Sequence, residues 1–138
     1  MRVRAKLTDA DYQALLDFRN GLRRYLHWSS EEAAKAGLTT AQHQLLLAVR
    51  GHPGPDKPTI TDVAHDLMLR HHSAVELADR AEKAGLIERL AEPSDRRVTR
   101  LGLTPQGKRK LENLAGSHLE ELARMAPRIA RLWSGLKE

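Results

Sequence analysis

Gly85-Leu86-Ile87-Glu88-Arg89-Leu90-Ala91-Glu92-Pro93-Ser94-Asp95-Arg96-Arg97-Val98-Thr99-Arg100-Leu101-Gly102-Leu103-Thr104-Pro105-Gln106-Gly107 decides the fold. Residues 86–90 and 98–103 are strand-like, and Leu101 and Leu103 fall on one face because strand side chains alternate. Residues 91–97 hold Pro93, Ser94 and Asp95, so the two runs are expected to form a hairpin with a polar tip. Thr104-Pro105 then opens a helix, with Thr as the capping residue and Pro at the first helical position, where its missing N–H costs nothing.

Upstream of the hairpin, two short helices are expected in close succession, at 61–68 and 72–84. Asp62 suits the positive end of the first, and Gly85 ends the second. Before them, Gly51-His52-Pro53-Gly54-Pro55-Asp56-Lys57-Pro58 carries three prolines and two glycines and reads as a surface loop. Residues 40–50 form a helix with Leu45, Leu46 and Val49 as its apolar stripe. It is opened by Thr39-Thr40-Ala41-Gln42, a capping box in which hydroxyl and amide side chains meet orphan backbone groups. Residues 9–36 form a longer helix, with Leu15, Phe18, Leu22, Tyr25 and Leu26 at intervals of three and four and Gly37 as its stop. Downstream, Leu111, Leu114, His118, Leu122, Met125, Ile129, Leu132 and Leu136 keep helical spacing to the end, and Pro127 is expected to kink or restart that helix. The architecture is mainly α with a small β-wing.

The chain's 138 residues are one domain's worth, enough to bury a core without disulfides. With no cysteine, disulfides, thiolate metal sites and cysteine redox sensing are excluded. Arg2, Arg4 and Lys6 have no apolar run behind them, so no signal peptide is read, and the longest apolar stretch, 45–49, is far short of a membrane span. A cytoplasmic protein without a membrane partner is expected. A net charge of +5 hints at a polyanionic partner, but where the cations sit says more. Arg70, His71 and His72 open the second short helix, where the helix dipole also favours phosphate. Arg89, Arg96, Arg97 and Arg100 crowd the hairpin. At its tip, Asp95 is placed to pair with an arginine and hold its remaining donors outward, and a narrow minor groove attracts such a side chain.

These segments, from Thr59-Ile60-Thr61-Asp62-Val63-Ala64 through Lys83-Ala84-Gly85-Leu86-Ile87-Glu88-Arg89 and Asp95-Arg96-Arg97 to Leu103-Thr104-Pro105-Gln106-Gly107, resemble the MarR family of bacterial regulators. The resemblance implies a winged helix-turn-helix with N- and C-terminal dimerisation helices. Residues 9–36 and 108–138 would interlock in a homodimer, and 40–107 would read a palindromic site in double-stranded DNA. Carried over by position, DNA contacts fall on Arg70, His71, His72, Ser73 and Glu76 in the recognition helix. In the wing they fall on Arg96 and Arg97, with Asp95 as orienter. Arg70-His71-His72 departs from the small polar residues usual there, which puts base preference in question. Trp28 and His27 are candidates to line a cleft for a small aromatic or anionic effector, although an aromatic there is more often core.

Other classes fit less well. No Gly-rich phosphate loop, cysteine nucleophile or positioned base is present, so no enzyme is expected. No cofactor is implied. His71 and His72 are adjacent and diverge on a helix, while His65 and His118 stand alone, so no metal site is expected. A winged-helix module that binds protein rather than DNA is the alternative. Loss of the wing cations would favour it, and they are present.

Overall fold

The computed structural model describes residues 5–134; Arg2, Arg4 and Leu136 lie outside them. Helices α1 (Asp9–Lys35), α2 (Thr40–Arg50), α3 (Ile60–Asp66) and α4 (His71–Lys83) precede a hairpin of β1 (Ile87–Glu92) and β2 (Asp95–Leu103), and α5 (Pro105–Ser134) follows.

Threonine starts four of the five helices. Thr39 caps α2 through the expected box with Gln42, and Thr104 accepts from the Gly107 amide at 3.1 Å at the head of α5. Thr8 with Asp11 and Thr59 with Asp62 make two further boxes, at α1 and α3. Only α4 opens without a side-chain cap.

Three helices stop in the same way. After α1, Gly37 at φ 79° turns the chain and the Leu38 amide returns to the Ala33 carbonyl at 2.9 Å; after α4, Gly85 at φ 75° lets Leu86 return to Ala81 at 3.0 Å. After α3 the left-handed position is held by Met68 at φ 56°, and the Leu69 amide returns to Ala64 at 2.8 Å. Glycine reaches this conformation without a Cβ clash; methionine does not.

The core lies where the hairpin meets the helices. Leu45 and Leu46 of α2, Val63 of α3, Ala78 and Ala81 of α4, Ile87, Leu101 and Leu103 of the hairpin, and Leu111 and Leu114 of α5 form one buried cluster. Truncating one of its large side chains to Ala is worth about 2–5 kcal/mol. Gly107 permits the closest approach: a Cβ there would stand 2.1 Å from the Leu86 carbonyl oxygen.

The strands are longer than the sequence suggests. The turn narrows to Pro93 and Ser94, and Asp95, Arg96 and Arg97 belong to β2 rather than to a loose tip. A single bridge between Thr59 and Arg100, with the Leu101 amide donating to the Pro58 carbonyl at 2.8 Å, ties the end of the proline-rich loop to β2. Helix α5 runs through Pro127 without a restart. No helix of the described residues is long and apolar enough to cross a membrane.

Candidate nucleic-acid interface

The hairpin register places the arginines. Ile87 faces Leu103, Arg89 faces Leu101 and Ala91 faces Thr99, but the next pair is Glu92 with Asp95. Arg96, Arg97 and Val98 therefore have no partner across the ladder. A bulge of this kind re-aims side chains away from the sheet, and both arginines are exposed. Arg97 is held by Asp95 through Nε and Nη2, each at 3.1 Å, while its side chain stays 90% exposed. The Asp95 carboxyl also accepts from the Arg97 amide, and these bonds hold it below the ordinary carboxylate range. The guanidinium is thus splayed outward with donors left over.

Helix α4 supplies the facing wall. Arg70 is its N-cap residue, and the exposed His71 and His72 form its first turn with the half-buried Ser73. Glu76, one turn on, is exposed. With no side chain over the α4 amides, the positive end of the dipole faces solvent between these residues. His71 and Arg97 line one cleft of about 290 Å³ with Thr59, Thr61 and Thr99. The sequence signals did not single out these three threonines, which the Thr59 cap and the Thr59–Arg100 bridge bring in.

Two hairpin arginines are committed elsewhere. Arg89 bonds Asp79 at 2.7 Å and Glu82 at 2.9 Å, tying β1 to α4, and these carboxylates raise its pKa. Arg100 bonds Glu92 at 2.6 Å and the Lys57 carbonyl at 2.7 Å. The crowd of four cations expected from sequence resolves into two that hold the wing and two that project from it.

The two effector candidates separate. Trp28 lines a mostly apolar cleft of about 320 Å³ between α1 and α5, with Phe18, Tyr25, Arg24 and Arg128. His27 points to solvent and pairs with Glu31 at 2.6 Å, because consecutive helical residues diverge. His118 does not stand alone: it packs on His43, Trp28 and Tyr25.

A helix pair α3–α4 followed by a two-stranded wing defines a winged helix-turn-helix protein. The chain is similar to the MarR family, whose sequence profile matches residues 36–98. It is 34% identical over 67 residues to the uncharacterized HTH-type transcriptional regulator YsmB of Bacillus subtilis, a stretch covering 49% of this chain and 46% of that one. It is 32% identical over 94 residues to the HTH-type transcriptional repressor MdtR of the same organism, covering 68% and 59%. The chain thus spans about half the length of the curated relatives it matches. Among solved structures it is similar to the transcriptional repressor CouR bound to a 23-mer DNA duplex, at a TM-score of 0.68 and 28% identity over 92% of each chain.

Proposed function

We propose that this protein is a sequence-specific regulator of transcription, a repressor that binds a palindromic site in double-stranded DNA as a homodimer. The observation that carries this reading is the bulged pair Arg96 and Arg97, the second of which lines one cleft with His71 at the uncapped start of α4. A helix of this width enters the major groove, and an arginine presented by a wing suits the narrower groove beside it. Arg70, His71, His72, Ser73 and Glu76 are the proposed base and phosphate contacts. CouR bound to duplex DNA supports the assignment through the similar fold. Occupancy of a promoter by such a dimer blocks polymerase without further chemistry.

The homodimer is supported by apolar surface a single chain leaves wet. Leu15, Leu16, Leu22 and Leu26 of α1 are 43–63% exposed, and Leu119 and Trp133 of α5 are more than 60% exposed. Two patches of this kind on flanking helices favour pairing with a second copy. The cleft lined by Trp28, with Arg24 and Arg128 beside aromatic rings, is the proposed seat of a small aromatic or anionic effector.

Footprinting the purified protein on the DNA upstream of its own coding sequence tests the reading. A protected two-fold symmetric site is expected, and Arg97→Ala is expected to weaken it and lower the salt slope by about one. Protein partners that bind independently of salt, with no DNA protected, would instead favour the protein-interaction module.

A further inference from the structure

Two imidazoles meet where the helices bearing the reading head join those that flank it. His43 of α2 and His118 of α5 are each about nine-tenths buried, with ring centroids 4.9 Å apart and edge to face. The His118 Nδ1–H donates to the Leu114 carbonyl at 2.7 Å. That bond fixes the neutral tautomer, so Nε2 accepts from the Ser29 hydroxyl of α1, also at 2.7 Å. One histidine pair thus touches α1, α2 and α5 together, and Thr40 bonds Ser30 at 2.9 Å beside it.

We propose that this pair is a proton-operated switch, in which uptake of one proton shifts α2 against α1 and α5 and so re-aims the reading head. With His118 neutral, both of its ring nitrogens are bonded. A proton on His118 Nε2 turns that atom from acceptor to donor and forces the Ser29 hydroxyl to turn its hydrogen elsewhere. A proton on His43 places a charge against the His118 ring in a site with little water. Two like charges on rings 4.9 Å apart repel, so the site takes up one proton rather than two. Among the described residues, Tyr25 of α1 meets the His118 ring edge-on, and Glu121 of α5, paired with Arg124, acts on Tyr25. Tyr25 is raised by burial and by Glu121, so it stays neutral where histidines titrate. Burial, and then His118, lower the His43 pKa below its ordinary 6.5. The sign follows: the folded form binds this proton less readily than the unfolded chain, so its contribution is intact above about 6.5 and is lost as pH falls below it. Two imidazoles and a hydroxyl fall short of a metal ligand set, and among the described residues no group of three or more His, Cys, Asp or Glu side chains is placed to hold one.

The consequence for DNA, occupancy that changes with acidity, rests on the function proposed above. The test does not. Trp28 lies 4.7 Å from His118, and a protonated imidazole quenches indole emission, so Trp133→Phe leaves Trp28 as the sole reporter. With no native cysteine, spin labels placed at Ser94→Cys and Glu120→Cys report the distance from wing to α5. Diluting labelled with unlabelled protein restricts the signal to one chain. Between pH 7.5 and 5.5 we expect a single quenching transition and a shifted distance distribution. Both should be abolished when His43→Phe, which keeps the edge-to-face ring, is combined with His118→Gln, and by His43→Gln with His118→Gln if the first pair does not fold. An unshifted distribution in the parent, or a transition and shift that persist in the double variant, would overturn the switch. Neither result bears on whether DNA is bound.

Discussion

At the scale of single residues, the decisive contact is Asp95 on Arg97. The carboxylate does not neutralise the wing so much as aim it, since the guanidinium stays exposed while two of its nitrogens are held. Asp95→Ala therefore removes a negative charge from the interface yet is expected to weaken operator binding several-fold, as seen by mobility shift. An unchanged or tighter complex would show that orientation is irrelevant and that charge alone counts. Met68 carries a cost of a different kind. It is 92% exposed and held at φ 56°, where left-handed geometry costs an L-residue about 1–2 kcal/mol. Met68→Gly loses no packing, so after the greater freedom of unfolded glycine is deducted it should stabilise the protein by roughly 0.5–1 kcal/mol. A higher urea midpoint at unchanged slope is the measurement.

At the scale of elements, the wing is positioned by residues that do not project from it. Arg100 joins β2 to Glu92 and to the Lys57 carbonyl of the preceding loop. Arg100→Gln is expected to leave helix content and oligomeric state alone while loosening the wing. Faster amide exchange at Leu101, whose N–H bonds Pro58, should accompany a several-fold loss of DNA affinity; protection equal to the parent's would contradict it. Much of this level was legible in the sequence. Helices α2 and α4, the Thr39 and Thr104 caps and the glycine stops follow from periodicity and capping chemistry. The Thr8 and Thr59 boxes were missed because aspartate replaces the usual Glu or Gln at the third helical position; of the two aspartates only Asp62 was read, for its dipole effect. The wing bulge was illegible for a deeper reason. Within residues 91–97, Pro93, Ser94 and Asp95 are all turn-forming types, and only pairing across the ladder decides that Asp95 is strand while the other two are turn. Arg89 and Arg100 looked like binding cations because their partners lie in other elements, and His118 looked solitary for the same reason.

At the scale of the molecule, the long flanking helices make sense only with something against them. Helix α1 buries just Ala33 within the chain, although its apolar spacing is strong. Leu15→Glu with Leu22→Glu should therefore cost little intrachain packing while converting a dimer to a monomer in sedimentation. Affinity for a two-fold symmetric duplex would fall by tenfold or more, because linking two heads on one site multiplies their binding. A double variant that remains dimeric would place the interface elsewhere.

The central claim is that α4 and the wing read DNA. Its most direct test is selection of bound duplexes from a random pool by the purified full chain, followed by titration of the enriched sequence at several salt concentrations. A two-fold symmetric motif is predicted, with affinity falling steeply as salt rises and a slope that flattens when Arg96 and Arg97 are both changed to Ala. A pool that enriches no sequence, or an affinity indifferent to both salt and those arginines, would contradict the account.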